Sequence, residues 1–413
     1  MIILFCAEQF YPLSTETAML DYGLTSVLAR WGHQVYVITS SHSADGLKIK
    51  REGVVHYIND KEATEIETNL FVLEFDIALK SSCGGYVGEC EAYQNFVNSF
   101  TCDLLVISGL CSWSFLLILD SLPTLKAKRK VVRVHEEWIL VNIQSRGRKA
   151  YIKKIIFNSI TKGLKYFFYK PDIYDKIFTL PTLRHKIKIS LKYFDKVFFL
   201  PHPQSHIDTY LTPYCSNIGV LPNGIFEKDI HPAKILKSTT PNQDWKKCPY
   251  LLALAHFLSE QHTLLLDAFY ASSTKLPFIL AGGQVSGYNL QSVQAYKSKL
   301  DAQHGYKEVY FLHVGEERAL ELLQGATLFL HAASLYSYKS LSFMVLKSLS
   351  FGVPTICIGE GVDSDLVVKN SLGMAHMIDH LLNNPDYYNS MAKNLHTRVK
   401  NYTYEKISQE LIV

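Results

Sequence analysis

Two lysines eight positions apart, Lys339 and Lys347, lie in an amphipathic stretch in the second half of the chain. The stretch ends at Gly352-Val353-Pro354, where an apolar strand pattern begins. This layout predicts a helix that presents two ionic side chains to a ligand. A lysine ammonium binds phosphate as a point charge and cannot accept a hydrogen bond. Two lysines at these positions therefore favour an anionic ligand.

The overall composition is that of an ordinary globular chain, long enough for two domains. The 413 residues are 48% hydrophobic and 19% charged, with a net charge of +4. The eight cysteines include no CxxC pair and no zinc-type spacing, so we expect reduced thiols in a reducing compartment. The opening MIILFCAEQF predicts a strand rather than a signal peptide. The uncharged, largely apolar run 104–119 is shorter than the roughly 20 residues of a membrane span.

Strand patterns alternate with helical patterns along the whole chain, which predicts strand–helix units on parallel sheets. In the first half, a helix is predicted from Thr17 to Arg30, ending at Gly32. The predicted strands of this half are 2–6, 34–39, 103–108, 130–134, 195–200 and 218–221. In the second half we predict strands at 250–255, 277–281, 309–313, 326–331 and 353–358, and helices at 262–272, 289–303, 317–324, 341–351 and within 384–412.

This alternation predicts two doubly wound domains. The domain boundaries that we predict are 1–226 for a first domain with a basic insertion at 144–192 and 248–385 for a second domain. A polar, proline-containing linker is predicted at 227–247, and a C-terminal helix that returns to the first domain is predicted at 386–413. Two such domains place a ligand in a cleft outside the carboxyl ends of their strands. The chain has no GxGxxG after its first strand, no P-loop lysine motif and no GxSxG elbow, so dinucleotide, NTPase and hydrolase functions lose their usual support.

Five short motifs occur in a fixed order along the chain: RWGHQVYVIT at 30–39, Val134-His135 at a strand end, PNG at 222–224, QGATLFLH at 324–331 and SFGVPTI at 350–356. Together they resemble motifs of the retaining nucleotide-sugar glycosyltransferases of family 4. The resemblance implies an α/β chain with the GT-B fold, in which two Rossmann-like doubly wound parallel-sheet domains face an interdomain cleft. It assigns the acceptor side to the first domain, 1–226, and the nucleotide-sugar donor to the second, 248–385. It also implies sugar transfer from a nucleotide-sugar donor, without a metal or other cofactor.

The resemblance assigns the donor site residue by residue. His135 occupies the position of a strand-end histidine that faces the donor, so it is the candidate catalytic residue and would position donor and acceptor; a histidine hydrogen-bonded in the core is the alternative. Lys339 and Lys347 occupy the positions of two glutamates that contact the donor sugar and the ribose. His256 and Gln261 stand where the family has an arginine and a lysine that hold the diphosphate.

Further positions complete the predicted site. Asp365 replaces a glutamate of the loop beside the donor. Thr15 and Glu16, in the loop after the first strand, are either acceptor contacts or plain loop residues. Asn223, with Gly224, is predicted to form a turn that needs a positive φ and to lie near the acceptor.

The changed residues leave two hypotheses open. The net formal charge of the four donor-site positions differs from that of the family. It is +2 for His256, Gln261, Lys339 and Lys347 with the histidine neutral, whereas the charges of the family's four residues sum to zero. A basic site still suits a diphosphate or a uronic acid, which favours an enzyme that transfers sugar to a glycan or lipid-linked acceptor in cell-surface polysaccharide or lipopolysaccharide synthesis. The alternative is a catalytically silent GT-B subunit that binds and stabilises a partner glycosyltransferase or an acceptor.

The predicted insertion at 144–192 concentrates the positive charge. It contains 13 Lys or Arg and two Asp, and apolar residues recur at helical spacing within it. A helix packed on the first domain with a solvated basic face is one interpretation, and nucleic acid is not favoured because nothing else in the sequence indicates base recognition. A basic amphipathic surface is typical of binding to an anionic leaflet. We therefore predict a cytoplasmic protein that associates peripherally with the inner face of the membrane.

Overall fold

The computed structural model describes residues 1–13, 15–43, 46–79, 85–135, 180–200, 211–232, 249–254, 259–282, 287–332, 343–358 and 366–413. The chain divides into two compact units. The first comprises Met1–Leu221 together with Ser408–Val413, and the second comprises Pro222–Ile407. Most of the predicted basic insertion and of the predicted linker lies outside the described residues.

Strands and helices alternate in both units. The strands are β1 Ile2–Cys6, β2 Gln34–Ser40, β3 Val54–Ile58, β4 Lys61–Glu67, β5 Leu70–Phe75, β6 Ile77–Leu79, β7 Tyr86–Gly88, β8 Cys102–Ser108, β9 Ala127–Arg133, β10 Lys196–Phe199, β11 Ile218–Val220, β12 Leu251–Leu254, β13 Phe278–Gly282, β14 Val309–His313, β15 Leu328–Ala332, β16 Thr355–Ile358 and β17 Val367–Val368. The helices are α1 Glu16–Arg30, α2 Cys90–Ser99, α3 Trp113–Leu116, α4 Leu180–Ser190, α5 Ser259–Ala271, α6 Gly287–His304, α7 Glu316–Gly325, α8 Phe343–Ser350, α9 Ser371–Asn383, α10 Pro385–Val399 and α11 Tyr404–Ile412.

The first unit contains a nine-stranded sheet in the order β11-β10-β9-β8-β1-β2-β5-β4-β3. Strands β1 and β8, at its centre, are parallel and almost wholly buried, as expected for near-continuous apolar runs covered on both faces. Helix α1 begins at its N-cap Thr15 and ends before Gly32, whose φ of +84° makes it the expected glycine after the helix. The predicted doubly wound α/β class is confirmed here.

One edge of this sheet differs from the prediction of parallel strands throughout. Strand β3 pairs antiparallel with β4, and β4 pairs antiparallel with β5. Asn59 and Asp60 alone connect β3 to β4, with φ angles of 47° and 64°, which is the backbone of a type I′ hairpin turn. A two-residue connection can join only antiparallel neighbours, so this local turn overrides the parallel pattern.

The second unit contains a six-stranded parallel sheet in the order β14-β13-β12-β15-β16-β17. Its core is formed by buried side chains of these strands and of the helices that cover them. The eleven strands predicted in the two halves all form, with bounds shifted by at most a few residues. Helix α8 ends at Ser350, and Gly352, whose φ is +69°, turns the chain shortly after it, near the predicted end of the helix.

The predicted positive-φ turn at Asn223-Gly224 is wrong. Gly224 does not have a positive φ, and a Cβ atom there would lie 2.6 Å from Cδ1 of Tyr404. The residue must be glycine because the ring of Tyr404 approaches the backbone closely. Next to it, the Ile225 N–H donates to the Tyr402 carbonyl (3.0 Å), and the Tyr404 N–H donates to the Ile225 carbonyl (2.8 Å).

Helix α11 begins in the second unit and ends in the first. The buried hydroxyl of Ser408 donates to the Leu24 carbonyl in α1 (3.5 Å), and Leu411 is fully buried. Both ends of the chain therefore belong to the first unit.

Candidate functional site

The topology of the first sheet singles out one place for a ligand. From β1 the chain proceeds through β2 toward one edge of the sheet, and it later returns through β8 to build the other edge. The point between β1 and β8 is therefore the topological switch point. In open α/β sheets the loops that follow the strands at this point separate and leave a crevice.

A cavity of about 240 Å³ lies at this switch point. The loop after β1, helix α1, the end of β8 with the segment that follows it, and the residue two positions after β9 each contribute to its wall. The described lining residues are Glu8, Gln9, Thr17, Asp21, Ser108, Gly109, Cys111, Ser112 and His135. All of them except the glycine carry a polar group, and two are carboxylates.

Three of these side chains form one hydrogen-bonded chain. The Ser108 hydroxyl donates to Asp21 Oδ1 (2.9 Å), and Ser108 Oγ lies 2.6 Å from His135 Nε2. Arg133 Nη1 lies 3.6 Å from the same oxygen of Asp21, and both charged side chains are at most 2% exposed. The sheet positions them, because Ser108 and Arg133 end the adjacent parallel strands β8 and β9 and are register partners.

Burial shifts the pKa values of both titratable members of this chain toward their neutral forms. The pKa of Asp21 is raised to about 6 by burial, against the opposing effects of the Arg133 charge and the Ser108 hydroxyl. The pKa of His135 is lowered to about 3, first by burial and then by the charge of Arg133. At neutral pH, His135 is therefore an uncharged ring beside an ion pair.

The segment after β8 forms another part of the wall. Gly109, with φ of +91°, turns the chain immediately after the strand. Ser112 then caps helix α3, since its Oγ accepts the Phe115 N–H (3.2 Å) and also donates to the Gly109 carbonyl (2.9 Å). These contacts fix the polar side chains on this side of the cavity.

The predicted acceptor-side residues of the first unit lie at the start of α1. The Thr15 hydroxyl accepts the Ala18 N–H (3.4 Å) as the N-cap and donates to Gln9 Oε1 (2.8 Å). Thr15 therefore contacts a residue of the cavity wall, and Glu16 is the first residue of the helix. Helix capping already accounts for a hydroxyl at position 15.

In the second unit, Lys347 lies on α8 and forms an ion pair. Its Nζ is 2.7 Å from Asp229 Oδ2, and the two side chains are 13% and 30% exposed. The segment that carries Asp229 runs beside the helix, since the His231 N–H donates to the Ser350 carbonyl (2.7 Å). The lysine that was predicted to bind a donor thus already has an anionic partner in its own unit.

The remaining predicted residues are placed only in part. Gln261 lies in the first turn of α5 and is partly exposed, and Asn223 is 4% exposed in the second unit. The predicted site residues His256, Lys339 and Asp365 lie outside the described residues. The convergence of the predicted set in one cleft stays a prediction.

Asp21 and Ser108 were not predicted as site residues from the sequence. A signal for Asp21 was present, because it is an acidic residue next to Leu20 in a helix whose other face is apolar. Ser108 is the last residue of an apolar strand, a position that faces ligands in sheets of this type. Nothing local connects the two, since they are 87 positions apart.

The fold is that of the GT-B class, with two Rossmann-like domains in one chain, as predicted. Sucrose-phosphate synthase from Thermosynechococcus elongatus is similar over 99% of this chain and 97% of its own, with a TM-score of 0.62 and 14% identity. A structure described as E. coli trehalose-6-phosphate bound with UDP-2-fluoro glucose is similar over 100% of this chain and 98% of its own, with a TM-score of 0.64 and 10% identity. Anabaena HepE in complex with UDP is similar over 100% of this chain and 98% of its own, with a TM-score of 0.62 and 12% identity. No family model and no curated protein matches the chain.

Proposed function

We propose that this chain is a glycosyltransferase that moves a sugar from a nucleotide-sugar donor to a glycan or lipid-linked acceptor. The observation that carries the proposal is the similarity in fold, over nearly the whole chain, to proteins whose structures contain UDP or UDP-2-fluoro glucose. The polar cavity at the switch point of the first sheet adds to it, because hydroxyl and carboxylate side chains suit a sugar ring.

In this proposal the two units have different tasks. The first unit holds a sugar at the cavity formed by Asp21, Ser108 and His135, and the second unit holds the nucleotide. Transfer proceeds with retention and without a metal, as in the family that the motifs resemble. Cationic side chains and a helix N-terminus stabilise the departing diphosphate, on which negative charge develops.

A binding scan tests this function. Thermal unfolding is measured with UDP, GDP, ADP and CMP, and then hydrolysis of the matching nucleotide sugars is measured with and without EDTA. A ligand at about 100 times its Kd stabilises the folded chain by about 2.7 kcal/mol. We expect one nucleotide to raise the Tm. We expect one nucleotide sugar to be hydrolysed or transferred at the same rate with and without EDTA. No Tm shift with any nucleotide would contradict the proposal.

The Lys347–Asp229 ion pair favours a second candidate, a catalytically silent GT-B subunit that stabilises a partner glycosyltransferase or an acceptor. A lysine neutralised within its own unit is less able to bind a phosphate, as expected after a donor site is lost. The variant Lys347→Glu/Asp229→Lys places the family's glutamate in the helix and keeps an ion pair. Binding of a UDP-sugar by this variant, with none by the parent chain, would support the silent subunit.

We also propose that the first unit associates peripherally with an anionic membrane on the cytoplasmic side, in the synthesis of a cell-surface polysaccharide or lipopolysaccharide. In the described part of the basic segment, Lys186 and Lys192 are exposed, and Ile189 and Tyr193 expose large apolar side chains beside them. Each cation near an anionic surface contributes about 1 kcal/mol. Among the described residues, no helix is both long enough and apolar enough to cross a bilayer.

Flotation with liposomes tests the membrane proposal. We expect binding to liposomes with anionic lipids at low salt, its loss at high salt, and weaker binding by the variant Lys153→Glu/Lys154→Glu/Lys162→Glu/Lys165→Glu. Equal binding to neutral liposomes, or no binding at low salt, would contradict it.

A further inference from the structure

The hydrogen bonds between Asp21, Ser108 and His135 have only one consistent direction at neutral pH. The Ser108 hydroxyl carries a single hydrogen, and an ionised Asp21 can only accept. That hydrogen therefore points to Asp21 Oδ1 at 2.9 Å. Ser108 Oγ must then accept from His135 Nε2, which lies 2.6 Å away. The neutral ring carries its hydrogen on Nε2, and Nδ1 keeps the lone pair.

The charged groups around the ring maintain this arrangement. Arg133, two residues before His135, lies 3.6 Å from Asp21 and favours its ionised form. The same guanidinium opposes a second proton on the imidazole. Glu8 and Cys111 are the other titratable side chains among the described residues that line the cavity. The ion pair and the serine thus determine both the charge and the tautomer of the histidine.

The wall of the cavity indicates which ligand groups suit such a ring. The described lining residues offer carboxylate, amide and hydroxyl oxygens, and none of these described residues is Lys or Arg. A wall of this kind accepts hydrogen bonds from hydroxyl groups and repels phosphate. An uncharged imidazole whose Nδ1 carries a lone pair has the same preference.

We propose that Asp21 and Ser108 are positioning residues that hold His135 as the neutral Nε2–H tautomer, so that Nδ1 accepts a hydrogen bond from a hydroxyl of a sugar that carries no phosphate at this end. The identity of the ligand rests on the proposed glycosyl transfer. The tautomer rests on the hydrogen bonds of Ser108 and on the ionised Asp21 beside Arg133, and not on the ligand, so the two parts are tested separately.

The first experiment reads the tautomer directly, by two-dimensional NMR of the full chain labelled with ¹⁵N-histidine. The His135 signals are identified as those that disappear in His135→Gln. We expect the pattern of the neutral Nε2–H tautomer from about pH 7 to about pH 8, where Asp21 is ionised. A Nδ1–H tautomer, or an imidazolium at neutral pH, would overturn the proposal.

Substitutions at position 108 then test the cause. Ser108→Ala removes the acceptor for Nε2–H, so we expect a mixture of tautomers, whereas Ser108→Thr keeps the hydroxyl and should restore the wild-type pattern. Asp21→Asn keeps an oxygen that can accept from Ser108, so we expect it to retain the Nε2–H tautomer. An unchanged tautomer in a folded Ser108→Ala chain would show that the serine does not set it.

The second experiment measures transfer with the nucleotide sugar that the binding scan identifies. We expect Ser108→Ala to lower kcat/KM about tenfold, Ser108→Thr to restore most of it, and the Kd of the free nucleotide to stay unchanged. Unchanged kcat/KM in a variant whose tautomer has changed would overturn the role assigned to Nδ1. If wild-type chain transfers no sugar, that role is lost with the proposed function, whereas the NMR result still decides the tautomer.

Discussion

Reversal of one charge on α8 tests whether the Lys347–Asp229 pair stabilises the second unit. Lys347→Glu places two carboxylates where Nζ and Oδ2 are now 2.7 Å apart, in side chains that are 13% and 30% exposed. A unit-charge pair at about 4 Å is worth about 4 kcal/mol at the effective dielectric constant near a protein surface. Exposed pairs contribute about 0–1 kcal/mol, and breaking a fully buried pair costs about 3–5 kcal/mol. For this partly buried pair we expect Lys347→Glu to cost about 2–4 kcal/mol.

Thermal and urea unfolding of four chains measures this effect: the wild type, Lys347→Glu, Asp229→Lys and the double variant. In a domain of this size each kcal/mol lowers the Tm by about 2–4 °C. We expect each single variant to lose stability and the double variant to recover most of the loss, because the pair is re-formed with its charges exchanged. Additive losses in the double variant, or a Lys347→Glu chain as stable as the wild type, would refute the reasoning.

Three further variants probe other contacts. His135→Gln should remove an acid-dependent loss of stability, because the folded pKa of His135, about 3, lies below the ordinary 6.5. The wild type therefore loses stability as pH falls below about 6.5, by about 2 kcal/mol at pH about 5, while the raised pKa of Asp21 has the opposite effect in both chains. Urea unfolding of the two chains across pH measures the difference, and parallel curves of stability against pH would contradict it. Asp21→Ala removes a carboxylate that lies 3.6 Å from the buried Arg133 guanidinium and should cost about 3–5 kcal/mol in urea unfolding. A loss below about 1 kcal/mol would show that the pair is unimportant. Gly224→Ala should cost about 1–3 kcal/mol of stability, because the added Cβ would meet the Tyr404 ring. Gly85→Ala is the control, since a Cβ there has open space around it, and equal Tm values for the two variants would count against the contact at Gly224.

Local sequence patterns predicted the strands and helices better than they predicted the contacts of the candidate site. Strands such as β1 and β14 form at the predicted bounds, because apolar runs between turn residues are a local property of the chain. The antiparallel edge was not predicted, because it depends on the two-residue turn Asn59-Asp60, whose positive φ angles are not evident from the strand pattern. A turn motif was also misread at Gly224, where packing of a ring from a distant segment, rather than φ, requires the glycine.

The contacts of the candidate site show why the rest could not be predicted. His135 was identified by its motif, but its partner Ser108 and the carboxylate of Asp21 come from different strands and helices. The partner of Lys347 is 118 positions away. Such pairs depend on the strand order and on the register, and neither of these is encoded in the spacing of nearby residues.

Because α11 ends in the first unit, the second unit is an insertion within the first rather than a domain appended to it. A fragment that stops at Leu221 would lack Ser408 and the buried Leu411, and it would expose apolar surface of the first unit to water. The segments that enter and leave the insertion are hydrogen-bonded side by side, at Ile225 and at Tyr402–Tyr404. A short flexible linker from Leu221 to Ser408 would therefore give the first unit as one continuous chain, whereas the second unit can be excised directly as 222–407.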